Sequence, residues 1–252
     1  MDLKGKIAVI TGAASGIGKA AALRFRQEGA AGIVLGDLSY RKSEETAEGF
    51  AVPCDVSKEA DLQRLVREAE ARFGRVDVFF SNAGIFQEGG LEAPDADWER
   101  NWKIHVMAHV YAARAVVEKM AVRGSGYFIV TASAAGLLNI VESATYGVTK
   151  RGSVAIAEWI AIAYGRRGVR VSCLCPQGVL TNMFRGDGGS AGVDGVLTTD
   201  DVMEELIKTM REERFLVLPH PKVLDYLRGK STDYDRWLGG MQKLFLRHRG
   251  GK

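Results

Sequence analysis

The chain has 252 residues, and 34 lysines and arginines against 31 aspartates and glutamates leave a formal charge of +3. Apolar residues make up 46% and charged residues 26%, a globular composition that excludes a disordered chain. The nearly balanced charge gives no reason to expect nucleic acid as a partner. Three cysteines cannot make a paired disulfide framework and match no zinc knuckle, so a reducing, cytoplasmic setting is expected, without a metal.

Short apolar runs alternate with longer helical patterns along the whole chain. Ile7 to Thr11, Ile33 to Leu35, Val76 to Phe80, Tyr127 to Thr131 and Val169 to Leu174 read as strands that are apolar on both faces. Ala51-Val52 and Phe215 to Leu218 are further candidates. Helices are expected over Leu62 to Phe73, Trp98 to Met120, Ala144 to Tyr164 and Asp201 to Glu213. This alternation predicts right-handed βαβ units and one doubly wound α/β sheet with helices on both faces. No secretory signal is visible. The longest uncharged stretch, Gly124 to Val141, is too broken by polar residues and glycine for a membrane span. Arg185 to Val196, with five glycines in GDGGSAGVDG, reads as a mobile loop.

TGAASGIG, Thr11 to Gly18, falls where the first strand hands over to the first helix. Gly12 suits a tight turn, Gly16 lets backbone approach a pyrophosphate, and Gly18 allows close helix–strand packing. A P-loop would need glycine at Ala13 and a hydroxyl at Ala20, so that reading fails twice. Asp37 ends the second strand about 20 residues further on, where an acid can hold ribose hydroxyls. Asp55, in CDVS, ends the short third strand and can meet the adenine amino group. The ordinary alternatives are a surface aspartate and, for its neighbour Ser57, a helix cap.

Tyr146 and Lys150 lie four apart in a helical stretch and share one face. A phenol is a poor base at neutral pH unless a nearby ammonium stabilises its anion. Ser133 follows a strand at the carboxyl edge, where open α/β sheets bind ligands. Taken alone, the Tyr–Lys pair is as ordinary as many helix pairs.

Together, TGAASGIG, CDVS, Asn82-Ala83-Gly84, Ser133 and Tyr146-Gly-Val-Thr-Lys150 resemble the short-chain dehydrogenase/reductase family, from about Leu3 to Met183. The resemblance implies a Rossmann fold, a nicotinamide cofactor and hydride transfer between alcohol and carbonyl. It makes Tyr146 the general acid/base, Lys150 the group that lowers its pKa and holds the nicotinamide ribose, and Ser133 the anchor of the substrate oxygen. The cofactor would then lie on Gly12, Ser15, Gly16, Ile17, Gly18, Asp37, Asp55 and Val56 at its adenosine end. Asn82, Ala83, Gly84, Pro176, Val179 and Thr181 would join Tyr146 and Lys150 around the rest.

Three positions depart from the family pattern. His105 stands where the family has an asparagine that holds a proton-relay water; it either takes over that relay or is a packed helix residue that a water chain bypasses. Gln177 intervenes in Pro176-Gln177-Gly178, and Leu218-Pro219-His220-Pro221 replaces an expected Asp-Gly-Gly. Residues 1–252 are read as one domain, with 220–252 a tail outside the resemblance.

Asp37, and a turn without arginine, favour NAD over NADP, by mutual repulsion of about 4 kcal/mol at an effective dielectric near 20. The expected substrate is a hydrophobic secondary alcohol or its ketone, because Leu137 to Val141 and Met183-Phe184 are mostly apolar. Rival readings are an NADPH-dependent ketoacyl reductase and a catalytically silent nucleotide-binding regulator. The expected assembly is a homotetramer or homodimer, with Gly186 to Gly195 a substrate lid. His105 and His109, four apart, lack a third ligand for a metal.

Overall fold

The computed structural model describes residues 1–184 and 189–249. Among the described residues, eight strands form one sheet in the order β3-β4-β2-β1-β5-β6-β7-β8. They are β1 (Ile7–Thr11), β2 (Gly32–Asp37), β3 (Glu44–Glu45), β4 (Phe50–Pro53), β5 (Val78–Ser81), β6 (Gly126–Thr131), β7 (Val169–Leu174) and β8 (Leu216–Val217). All pairs are parallel except β3 with β4. The strand order reverses between β1 and β5, and the carboxyl edge at that switch point is where open α/β sheets hold ligands.

The apolar runs become central strands because both faces are covered. Val9, Val34, Phe79 and Phe128 point into one core, packed by α2 (Glu59–Phe73) and α4 (Ala108–Arg123). Their strand neighbours Ala8, Leu35, Phe80 and Ile129 fill the other, under α1 (Gly16–Gln27) and α7 (Thr199–Glu212). Asp77, read as part of a strand, lies just before β5. Its buried carboxylate accepts the Ile7 N–H at 3.0 Å and pairs with Arg75, so the charge fastens the start of β1.

The helix expected over Trp98 to Met120 is not uniform. It runs as α3 (Asp95–Trp102), a π-helical turn (Lys103–Met107) and α4, with His105 buried inside the π turn. A π turn is rare and marks places where a helix bends around a function. Beyond it come α5 (Ala134–Leu138) and α6 (Ala144–Tyr164), the latter spanning the expected range.

The tail is structured, as α8 (Lys222–Thr232) and α9 (Tyr234–Arg249). Lys230 reaches back from α8 to donate to Leu137 O at 2.9 Å, and Arg151 donates to the same carbonyl at 3.1 Å. Two cations thus sit at the carboxyl end of α5, where exposed carbonyls favour positive charge. Among the described residues, no helix is long and apolar enough to cross a membrane.

Candidate active site

The glycine turn joins β1 to α1 as the spacing predicts. Gly16 has φ +53°, and a methyl there would stand 3.2 Å from the Thr181 side chain. At Gly18 a methyl would collide with the Gly12 carbonyl, so only glycine lets α1 start this close to β1. The α1 N-terminus has no acid in its first turn, and the exposed Ser15 hydroxyl makes no cap. Free N–H groups, an uncommitted hydroxyl and an open cradle fit a pyrophosphate.

Asp37 stands against this turn. One carboxylate oxygen accepts the Ala14 N–H at 3.0 Å and the other accepts from Ser39. Burial alone would raise the Asp55 carboxyl, but bonds from the Ser57 hydroxyl and N–H, with Lys58 beside it, bring it below its ordinary value. Ser57 therefore serves Asp55, and Lys58 takes the helix-cap position. Val56 is buried just beyond.

Asn82 ties three strands together. Its Nδ2 donates to Thr11 O at 3.1 Å, and its Oδ1 accepts from Thr131 Oγ1 at 2.9 Å. Ala83 N–H reaches Thr11 Oγ1 at 3.3 Å, which brings Ala83 and Gly84 to the carboxyl edge beside Gly12.

Ser133 caps α5, its Oγ accepting the Ala135 N–H at 3.1 Å and donating to Pro176 O at 3.4 Å. Pro176 is thereby fixed beside Ser133, while Val179 bridges to Leu197 and Thr181 faces Gly16. Tyr146 lies in the first turn of α6, where Ser143 Oγ accepts its N–H at 3.2 Å and donates to Gln87 O at 2.6 Å. Phe86 and His105 meet the tyrosine ring edge-on, at 5.1 and 5.4 Å between centroids.

Lys150 is buried, donates to Thr131 O at 2.8 Å and stands 5.7 Å from the Tyr146 ring centroid. Burial lowers this ammonium to about 8. Burial also raises the Tyr146 phenol above its ordinary value, with the Ser133 hydroxyl opposing. Desolvation is the larger effect on the phenol, and the Lys150 ammonium lies over its ring face.

His105 lies beside them, inside the π turn. Its Nε2 accepts the Ile85 N–H at 3.1 Å, which leaves the proton on Nδ1 to be donated to Thr149 Oγ1 at 2.8 Å. Burial, with the Lys150 charge next, holds the imidazole well below its ordinary pKa. Both nitrogens are thus hydrogen-bonded, one to the Ile85 amide and one to Thr149, so the ring fastens two elements together. A methyl on Gly84 would stand 3.5 Å from Lys150 Nζ and 3.6 Å from His105 Nε2, which shows how tightly the two flank that glycine. His109 bonds Ser81 Oγ at 2.7 Å instead of joining His105.

Sequence reasoning missed the residues that hold the site from a distance, notably Thr149, Ser143 and the Ile85 amide. The helical spacing of Trp237, Leu238, Met241 and Leu244 marks α9, but it does not show that α9 with α8 and α5 encloses a cavity of about 850 Å³ beside Ser133. Of the expected lid, residues 186–188 lie outside the described residues. Ser190 is tied to Glu142 through its N–H and hydroxyl, both at 2.6 Å.

The short chain dehydrogenase family profile matches residues 6–188, and the chain belongs to that family. It is 33% identical over 247 residues to 1-deoxy-11-beta-hydroxypentalenate dehydrogenase of Streptomyces exfoliatus, covering 92% of this chain and 90% of that protein. It is 31% identical to the mitochondrial borneol dehydrogenase of Lavandula x intermedia, with 88% and 90% covered. A Burkholderia phymatum short chain dehydrogenase/reductase, solved in complex with NAD, superposes with a TM-score of 0.83 at 28% identity, covering 93% of this chain and 96% of that one.

Proposed function

We propose that the protein is an NAD-dependent oxidoreductase that interconverts a hydrophobic secondary alcohol and its ketone. The observation that carries this is the Tyr146 phenol, met by the Ser133 hydroxyl and lying under the Lys150 ammonium, at the sheet edge next to the glycine turn. Two relatives named as dehydrogenases, one of a hydroxypentalenate and one of borneol, support an alcohol as substrate.

The nicotinamide, when bound, supplies the hydride acceptor or donor. Gly12, Ser15, Gly16, Ile17 and Gly18 would cradle the pyrophosphate, Asp37 the adenosine ribose, and Asp55 and Val56 the adenine. Asn82, Ala83, Gly84, Pro176, Val179 and Thr181 would line the nicotinamide half, with Lys150 reaching its ribose. Ser133 Oγ donates to the substrate oxygen, and Tyr146 exchanges the proton of that oxygen. A phenol raised by burial keeps its proton at neutral pH, which favours its use as an acid toward a ketone. Lys150, largely charged at pH 7, offsets the phenolate that forms when Tyr146 gives the proton up.

NAD is preferred on electrostatic grounds, because a 2′-phosphate would meet the Asp37 carboxylate at the Ala14 amide. This reading also takes the chain as a homo-oligomer associating through α6. Calorimetric titration with NAD and NADP, followed by absorbance of the reduced nicotinamide over a panel of secondary alcohols, tests it. At least about tenfold tighter NAD binding, equivalent to about 1.4 kcal/mol, and turnover of apolar alcohols are expected. Equal or tighter NADP binding would reverse the cofactor assignment. NAD binding without turnover of any alcohol or ketone would favour the silent regulator.

A further inference from the structure

The cavity beside Ser133 has apolar walls, including Leu138 and Ile140 from the α5 side and Trp237, Met241 and Leu244 from α9. Its volume of about 850 Å³ is ample for a small-molecule ligand. The α9 residues on this wall are spaced so that one helix face turns inward. Along its edge run Arg236, Lys243 and Arg247, seven and four positions apart and therefore in one stripe.

All three cations line the cavity, are exposed to solvent, and make no ion pair among the described residues. The other cations around this region are already committed. Lys230 and Arg151 serve the α5 carbonyls, and Lys222 pairs with Asp194 at 3.0 Å. Two carboxylates also line the cavity, one ion-paired and one capping a helix with its charge left in place. Asp225 pairs with Arg228 at 3.5 Å, and Asp233 accepts the Arg236 N–H at 2.9 Å where α9 begins. Three cations against the Asp233 carboxylate leave the rim with a net positive charge over an apolar interior, the complement of an amphiphilic anion.

We infer that the substrate is an anionic amphiphile: an apolar body bearing the secondary alcohol or ketone, and a carboxylate or comparable acidic group held by Arg236, Lys243 and Arg247. This rests on the oxidoreductase reading for the reacting end, where Ser133 opens into the same cavity. The body would fill the cavity with its carbinol at Ser133, and the anion would stay at the wet rim. There it avoids the desolvation cost of a buried charge. The stripe then selects among alcohols that the apolar walls alone would accept equally.

A binding test independent of turnover uses two dyes with the same aromatic body, anilinonaphthalene sulfonate and its neutral counterpart phenylnaphthylamine. The holoprotein with NAD should bind the sulfonate about tenfold more tightly, because three solvent-exposed attractions each contribute only modestly. The triple variant Arg236→Gln, Lys243→Gln, Arg247→Gln changes exposed side chains. It should lose that preference and leave the neutral dye's affinity unchanged. Raising salt should weaken sulfonate binding in the parent protein and not in the variant. Gly240→Trp, which fills the cavity from α9, should weaken both dyes.

Equal affinity for the two dyes, or a preference that survives the triple substitution, overturns the inference. A matched turnover arm compares a hydroxy acid with its methyl ester. A kcat/KM advantage for the acid that disappears in the triple variant supports the inference, and ester turnover equal to that of the acid in the parent protein counts against it. Failure of every alcohol to reduce NAD would sink the oxidoreductase reading alone, since the dye titrations stand without turnover.

Discussion

His105 donates its Nδ1–H to Thr149 Oγ1 at 2.8 Å, and Thr149 is the residue immediately before Lys150. Thr149 passes the bond on to Thr145 O at 2.7 Å, so the π turn and the first turns of α6 are fastened together. The other imidazole nitrogen fixes the Ile85 amide beside Gly84. One buried ring therefore sets the distance between the Asn82–Ile85 edge and the helix that carries Tyr146 and Lys150.

His105→Ala is expected to lower kcat roughly tenfold or more, because it frees two elements that must hold Tyr146 in place. His105→Asn should recover much of the loss, since an amide can also accept from Ile85 and donate to Thr149. The pH–rate profile should keep its shape in both variants, because burial keeps the imidazole neutral. A profile that loses a titration in the alanine variant would restore the proton-relay role.

The main strands and the glycine turn with Asp37 were legible from local pattern, as apolar runs and a strand–turn–helix order, whereas Ser133, Tyr146 and Lys150 stood out only through the family resemblance, because a four-residue helical spacing alone is ordinary. The π turn was not, because what it holds are the Ile85 amide and Thr149, 20 and 44 positions from His105. Asp77 was misread as strand for a similar reason, since its partner is the Ile7 amide, 70 positions away. The tail looked unassigned because α8 depends on Lys230 reaching Leu137, a contact 93 positions long that no local spacing encodes.

Lys150 is placed for chemistry at the expense of stability. Its pKa falls from 10.5 to about 8, a shift worth about 3 kcal/mol, while its bond to Thr131 returns about 1 kcal/mol. Lys150→Met should therefore unfold about 2 kcal/mol less readily at pH 7 while losing turnover. The folded pKa is the lower one, so below about pH 8 both states are charged and the cost is fully present. Between about pH 8 and 10.5 the unfolded chain binds more protons, wild-type stability rises, and the advantage of methionine shrinks. Denaturant unfolding of both proteins across this range checks the sign.

The outer face of α6 separates residues that the sequence groups together. Ile160 is 2% exposed and belongs to the core, whereas Trp159 is 60% and Ile162 82% exposed. With Val148 they form an apolar stripe on the outside of the helix that carries Tyr146. Light scattering at micromolar concentration should give a dimer or tetramer mass, and Trp159→Glu with Ile162→Glu should shift it toward monomer. A monomer mass for the parent chain would contradict association through this face.

The central claim is that the Tyr146 hydroxyl moves the substrate proton. Tyr146→Phe keeps the ring against Phe86 and His105 and leaves the Ser143 cap of its N–H in place, so cofactor binding should be nearly unchanged. The most direct measurement is the single-turnover rate of nicotinamide reduction with a saturating alcohol, compared between the parent and this variant. Loss of at least about 100-fold in that rate, with NAD affinity retained, is the predicted result. A phenylalanine variant that turns over at the parental rate would contradict the account.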